Sequence, residues 1–288
     1  MTEGKRNQKE AGFEIKTFPV PFDLGDLKES ISISTNNPSK LSKEQIIRQA
    51  FHFHSQGNIS EAERYYQYFI NQGFKDYRVF SNYGVILKDL GKSQEAEFLY
   101  RKAIEIKPDY ADAHYNLGNK FKDDGKLKEA EFSYRKAIEI KPDFADAHYK
   151  LGNIFRDLGN LQEAERSFRN AIQLNPGFAQ AHSNLGNILR DLGKSKAAEN
   201  EWKKALKLEP NLTGAIEQLT RNLYRNKKYE LAIKYLKKRK SNISQTLHLA
   251  CLLCLDREKD FDSKYLEIES NRLFNAEIGG VVEHANII

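Results

Sequence analysis

An all-α solenoid of stacked helix pairs is the fold that the sequence predicts, and three observations support it. A stretch of 34 residues that starts at Ala111 is repeated, with few changes, from Ala145. Within each stretch, apolar residues fall at helical spacing in two blocks. Small residues, an aromatic ring and a proline also recur at fixed positions. Because one helix pair cannot bury its own apolar face, such pairs must stack to form a core.

Six units align at this period and give the predicted organisation. They start at Lys43, Tyr77, Ala111, Ala145, Ala179 and, more weakly, Thr213. We expect the repeat array to cover residues 41–240. Residues 1–40 lack periodicity and mix Gly, Pro, Ser and Asn, so we expect a flexible tail there. Residues 241–288 carry helical apolar patterns and are expected to form a degenerate helical segment.

Fixed positions predict where the helices begin and end. A glycine near the middle of each unit should end the first helix, because glycine adopts the left-handed cap without steric cost. A proline should stop the second helix, since the residue before it disfavours helical geometry. Ser42 and Gln45 have the spacing of a capping box. Asp109 and Asp143 are expected to serve as N-caps.

Other fixed positions predict how the helices pack. Small residues at the eighth and twentieth positions should let the two helices of a unit approach closely. The aromatic ring at the twenty-fourth position should fill the gap to the next unit. These rings are Tyr66, Tyr100, Tyr134, Phe168 and Trp202. A glutamate and a basic residue four positions later on the second helix, such as Glu97 and Arg101, should form an ion pair.

Together the period, the small pair, the aromatic ring and the proline resemble the tetratricopeptide repeat (TPR) over roughly residues 43–240. The family's usual tryptophan at the fourth position is His114, His148 or His182 here, and we expect these histidines to be structural. The resemblance implies a right-handed superhelix whose first helices line a concave groove for a peptide or protein segment. The array also looks like those of cyanobacterial TPR proteins and like the TPR superhelix of O-linked N-acetylglucosamine transferase.

Asparagines on the expected concave face are the main candidate binding residues. An asparagine amide offers a donor and an acceptor, so it can pair with a peptide backbone. They are Asn82, Asn116 and Asn184 at the sixth position, and Asn119, Asn153 and Asn187 at the ninth. The resemblance to the transferase implies that the three at position six grip a partner backbone, with Lys150 interrupting the ladder. A role as solvated consensus residues stays open.

Aromatic and charged side chains complete the expected groove. Tyr115 and Tyr149 should give apolar contact, and Lys150 should select for charge. Basic residues at the twelfth position each precede an aspartate, so they should rim the groove with both signs. They are Lys88, Lys122, Arg156 and Arg190. A self-paired, solvated edge is the alternative, because exposed ion pairs contribute little.

Several other sites are not expected. A clamp for a carboxylate tail, as in chaperone-binding TPR proteins, would need basic residues where Gly214 and Gln218 stand. Cys251 and Cys254 form a CxxC pair without the four ligands that zinc requires, so we expect a structural role. No catalytic grouping or phosphate loop stands out. We therefore predict no enzyme activity, no cofactor and no metal site.

A basic segment, residues 221–240, lies near the end of the array. Residues 213–240 hold nine Lys/Arg and two Asp/Glu. Clustered positive charge can bind nucleic acid or an acidic partner. No known nucleic-acid module accompanies it, so nucleic acid is not favoured as the partner, and a solvated helix end is the plainer interpretation.

Composition bounds the class of protein. The net charge is +6, two cysteines are present, and no apolar run approaches the length of a membrane span. We expect a cytoplasmic scaffold or adaptor that binds an extended segment of another protein. The alternative is the substrate-recruiting part of a larger glycosyltransferase or oxygenase that lacks its catalytic domain here. A homodimer through the terminal repeats also stays open.

Overall fold

The computed structural model describes residues 41–236, and every regular element in that range is an α-helix. In chain order these are α1 Lys43–Ser55, α2 Ile59–Asn71, α3 Tyr77–Asp89, α4 Ser93–Ile106, α5 Ala111–Asp123, α6 Leu127–Ile140, α7 Ala145–Asp157, α8 Leu161–Leu174, α9 Ala179–Asp191, α10 Ser195–Leu208, α11 Thr213–Arg225 and α12 Tyr229–Leu236. The predicted all-α fold is confirmed. The expected tail, the degenerate C-terminal segment and the CxxC pair lie outside the described residues.

The described residues fall into two compact units, 41–124 and 125–236. In the first unit α1 packs on α2 and α3 on α4, and each second helix also contacts the first helix that follows it. In the second unit the pairs are α7 with α8, α9 with α10 and α11 with α12, and they stack in the same way. Neighbouring first helices also touch, as α3 and α5 do in one unit and α9 and α11 in the other.

The helix limits follow the predicted punctuation, with one exception. The turn glycines adopt positive φ angles of 72 to 77°, and the Ser42–Gln45 capping box is present. The prediction that Asp109 and Asp143 are N-caps is wrong. Tyr110 and Phe144 hold those positions, and neither helix start has a side-chain cap bond. Packing decides this, because the Tyr110 ring meets the Tyr77 ring edge-on at 4.7 Å.

The recurring small residue and the recurring ring belong together within one unit. A Cβ placed on Gly84 would stand 2.6 Å from the Tyr100 ring, and one on Gly186 would stand 2.5 Å from the Trp202 indole. The prediction that the ring fills the gap to the next unit is therefore incomplete, because it first covers the glycine of its own unit. Tyr66 also stacks on the next unit, with its ring centroid 5.5 Å from that of Tyr83.

Polar groups reinforce the repeats. The predicted i,i+4 ion pairs on the second helices form, with N–O distances of 2.5 to 2.9 Å. His114 and His148 donate through Nε2 to the proline carbonyl that ends the preceding helix pair, at 2.9 and 3.0 Å. This bond supports the structural role predicted for these histidines.

One core position of the first unit holds a charge. Lys120 is 3% exposed and lies at the tenth position, where Ile86 stands in the preceding repeat. Its ammonium is 2.5 Å from a carboxylate oxygen of Glu97 and 2.5 Å from one of Asp124. The hydrogen bond from Lys120 lowers the pKa of Glu97 despite partial burial. The buried ammonium is thus fully compensated within its own unit.

Candidate functional site

In the first unit the position-six asparagines bond laterally within the array. Asn116 on α5 donates through Nδ2 to the Ser81 hydroxyl on α3, at 3.3 Å. Asn82 is 8% exposed and hydrogen-bonds the buried Tyr66. Burial raises the pKa of Tyr66 strongly, so its hydroxyl stays protonated. Asn82 therefore lies deeper than a groove residue should, while Asn116 remains half-buried at the surface.

The other groove candidates of this unit lie on α3 and α5. Tyr115, Asn119 and Lys122 are half-buried on α5. Lys88 on α3 forms an ion pair with Asp123 on α5, at 3.1 Å. The rim here joins two neighbouring first helices through opposite charges.

In the second unit three predicted residues form one cluster. Asn184 on α9 donates through Nδ2 to the Tyr149 hydroxyl at 3.2 Å and to the Asn153 amide oxygen at 2.9 Å, both on α7. Both amide hydrogens are therefore used, and the orientation of the Asn184 amide is fixed. Its carbonyl oxygen accepts no hydrogen bond from any residue within 41–236. Lys150 is half-buried on α7 next to Tyr149.

Asn187 has a structural partner. Its amide oxygen accepts a hydrogen bond from the Trp202 indole Nε1 at 3.1 Å, within the same helix pair. The sequence could not show this, because only the structure brings the ninth and twenty-fourth positions together. Asn187 holds the indole over Gly186.

The predicted rim cations of the second unit pair along their own helices. Arg156 lies 2.8 Å from Asp157, and Arg190 lies 2.9 Å from Asp191. This geometry matches the self-paired edge that the sequence left open. Arg190 also donates through Nη1 to the Gln218 amide oxygen on α11, so it links two neighbouring first helices.

A polar pocket of about 260 Å³ lies beside that link, between α9 and α11. Its lining side chains are Arg190, Gln218, Arg221, Asn222 and Arg225. The sequence did not single out this group, although it marked the basic segment that starts at Arg221. One sequence signal was available, because Asn222 occupies the tenth position, where Ile188 stands in the preceding repeat.

The repeat unit matches a known sequence family. Sequence models of the TPR repeat match residues 84–122 and 118–155, and models of the tetratricopeptide repeat match residues 145–178 and 179–212. Residues 84–212 are therefore tetratricopeptide repeats. The last two matches begin at Ala145 and Ala179, where the period placed two of the units.

Solved structures share the TPR fold. PilF of Pseudomonas aeruginosa is 23% identical, with a TM-score of 0.55 over 68% of this chain and 97% of that one. YrrB, a TPR protein with an unusual peptide-binding site, is 21% identical, with a TM-score of 0.53 over 68% and 98%. MamA of Desulfovibrio magneticus is 22% identical, with a TM-score of 0.53 over 59% and 96%. No curated protein matches the chain.

No group of three or more His, Cys, Asp or Glu side chains within residues 41–236 is placed to hold a metal ion. None of the twelve described helices combines the length and apolarity that crossing a bilayer requires.

Proposed function

We propose that this TPR protein is an interaction scaffold that holds an extended segment of a partner protein against the first helices of its repeats. The single observation that carries the proposal is the Asn184 cluster. There, two hydrogen bonds to Tyr149 and Asn153 fix an amide whose carbonyl oxygen is left without a partner among the described residues. Such an oxygen can accept a backbone N–H from any peptide sequence.

Preorganisation is the physical advantage of this cluster. A side chain that is already fixed loses little conformational entropy when a ligand binds, so more of the hydrogen-bond energy appears as affinity. The Tyr149 ring lies against Phe178, with ring centroids 4.7 Å apart, which restrains the ring as well. Lys150 is proposed to add a preference for acidic partner residues, and Arg156 and Arg190 to border the surface.

The first unit offers a related surface, which we propose as a separate contact region. Asn116 uses one amide hydrogen on Ser81, and Tyr115, Asn119 and Lys122 lie beside it on the same helix. The peptide-binding site named for YrrB supports peptide binding as a function that this fold can perform. Two cysteines in 288 residues favour a reducing compartment, so we place the activity in the cytoplasm.

Selection from an unbiased peptide display library tests the proposal. Wild-type protein should enrich extended peptides, and Asn184→Ala should bind the enriched peptides roughly tenfold more weakly, because one preorganised hydrogen bond is lost. The matched control is Asn200→Ala, which removes an exposed amide from the second helix α10. Equal affinity of wild type and Asn184→Ala for every enriched peptide, or no enrichment at all, would contradict the proposal.

A further inference from the structure

The pocket between α9 and α11 concentrates positive charge that the described chain does not neutralise. Arg190 is paired with Asp191 and held by Gln218. Arg221 and Arg225 lie four residues apart on α11 and form no ion pair with any residue between 41 and 236. Like charges at this spacing repel each other on a helix. An anion between them would remove that repulsion.

A buried amide points to the same ligand chemistry. Asn222 lines the pocket and is 8% exposed, yet its Nδ2 has no hydrogen-bond partner in the described part of the chain. The equivalent side chains Ile154 and Ile188 are fully buried and apolar. A buried donor without a partner costs about 1 to 3 kcal/mol. An oxygen acceptor in the pocket would satisfy it.

A second departure from the repeat pattern lies one turn away. Lys227 occupies the position of the turn glycines and has a φ angle of 57°, a left-handed conformation that disfavours side chains. The last described repeat therefore carries unpaired cations, an unsatisfied donor and a strained backbone within seven residues, 221–227. Residues that lower the local folding stability in this way tend to lie at functional sites.

We propose that this pocket binds the anionic side chain of a partner peptide, a carboxylate or a phosphate monoester. Arg221 and Arg225 supply guanidinium groups, whose planar donors match both oxyanions. Asn222 donates the amide hydrogen that now lacks a partner. Arg190, held by Asp191 and Gln218, positions the α9 side of the pocket.

Size and surrounding charge favour a single side chain over other anions. The pocket measures about 260 Å³, below the roughly 300–1,000 Å³ of pockets that hold whole small molecules. Along the neighbouring first helices, Asp157 and Asp191 occupy the thirteenth position. Each carboxylate pairs with the arginine that precedes it, so this edge offers no run of uncompensated positive charge to a nucleic-acid backbone, whose binding depends on many phosphate contacts. The inference goes beyond the proposed groove function and does not require Asn184.

Fluorescence anisotropy with defined probes tests the proposal. The probes are a Glu-rich peptide, the same peptide with each Glu replaced by Gln, the same peptide with phosphoserine at those sites, and a poly-uridine RNA of comparable length. Binding of the Glu peptide, the phosphoserine peptide or both, without binding of the Gln peptide, is expected. Whichever of the two anionic peptides binds more tightly shows whether the pocket prefers a carboxylate or a phosphate monoester.

Variants then locate the site. Arg221→Gln/Arg225→Gln should weaken the anionic peptides by at least about tenfold, since two charge-assisted contacts are lost. The matched control, Lys196→Gln/Lys207→Gln, removes the same charge from exposed positions on α10 and should have less than about a twofold effect. Asn222→Ile, which leaves the charge unchanged, should also weaken binding by roughly tenfold.

Three results would overturn the proposal. The first is that neither anionic peptide binds. The second is that the lysine control weakens binding as much as the arginine variant does, which would make diffuse charge responsible. The third is that the RNA binds more tightly than both anionic peptides. Circular dichroism confirms that each variant keeps wild-type helicity. If the arginine variant is less helical, Asn222→Ile provides the decisive measurement, because an isoleucine occupies the same position in three other repeats.

Discussion

Helices α9 and α11 are neighbours of the same kind, yet only α9 keeps the repeat pattern. At the eighth, tenth and fifteenth positions the α9 repeat has Gly186, Ile188 and Gly193, whereas the α11 repeat has Thr220, Asn222 and Lys227. Some of these changed residues in α11 have their cost in stability offset by another residue of the same repeat, and others do not.

The change at the eighth position is compensated. Thr220 is fully buried, and its hydroxyl donates to the Ile216 carbonyl at 2.7 Å. Leu236 stands where Trp202 stands in the preceding repeat. A larger residue on the first helix is thus matched by a smaller one on the second. This repeat keeps its core volume by exchanging sizes between two positions.

The other two changes are not compensated within the described residues. Asn222 keeps an unsatisfied buried donor, and Lys227 holds a left-handed backbone. Both lie next to the arginine pocket. Because α9 shows that a better-satisfied solution exists at both positions, we infer that α11 gives up stability where it recognises a partner.

The largest expected effect tests the tight packing of α9. In Gly186→Ala the new Cβ would lie 2.5 Å from the Trp202 indole. We expect a clash of about 3 kcal/mol, reduced by the roughly 1 kcal/mol that alanine gains in helix propensity, so urea denaturation should show a net loss of about 2 kcal/mol.

The matched control for that substitution lies in α11. A Cβ on Gly214 meets nothing within 4 Å, so Gly214→Ala should stabilise the protein by up to about 1 kcal/mol. If both variants shift the unfolding midpoint in the same direction, packing against Trp202 does not explain the glycine, and the contrast between the two helices fails at this position.

The next effect concerns the unsatisfied amide. Asn222→Ile should raise the free energy of unfolding by about 1.5 kcal/mol, because a buried donor is removed and an apolar side chain replaces it. Asn187→Leu should have the opposite sign, since the Trp202 indole N–H would lose its acceptor. If Asn222→Ile instead destabilises the protein, the Asn222 amide has a hydrogen-bond partner in solution. Asn222 would then no longer be an uncompensated difference between α11 and α9.

A reciprocal exchange tests the turn. Lys227→Gly should stabilise the chain by about 1 kcal/mol, because glycine adopts positive φ without steric strain. Gly193→Lys should destabilise it by a similar amount. Unlike Asn222→Ile, Lys227→Gly should leave the affinity for anionic peptides unchanged, because its side chain does not line the pocket. Loss of affinity in Lys227→Gly would instead make the strained turn part of the site.

The sequence predicted the repeats better than the site because its strongest signals are local. Turn glycines, prolines and the Ser42 capping box depend on backbone geometry within a few residues, so they could be placed directly. The N-caps predicted at Asp109 and Asp143 were wrong because each cap lies one residue later, at Tyr110 and Phe144, and at Tyr110 packing against the Tyr77 ring accompanies the shift. The partners of Asn184 and Asn187 depend on distances across helices, which the period alone does not give. Asn222 was visible as a polar residue at an apolar position, but only its surroundings show that it lacks a partner.

The smallest expected effect connects the two repeats through a carboxylate. Glu199 on α10 lies 2.6 Å from Lys203 and 3.5 Å from Lys228, which belongs to the turn after α11. Burial opposes ionisation, but the two ammonium groups outweigh it and lower the pKa of Glu199 below its usual 4.5. The stability from this group is therefore present above pH 4.5 and is lost as the pH falls through the lowered pKa.

Glu199→Gln should thus reduce the free energy of unfolding by about 0.5 to 1 kcal/mol near pH 7, and by less at an acidic pH, because a falling pH protonates the wild-type carboxyl as well. Glu163→Gln, an exposed change on α8, should have no measurable effect at either pH. Urea denaturation at both pH values distinguishes these cases. An equal loss for Glu199→Gln at both pH values would mean that side-chain packing rather than charge joins α10 to the turn after α11.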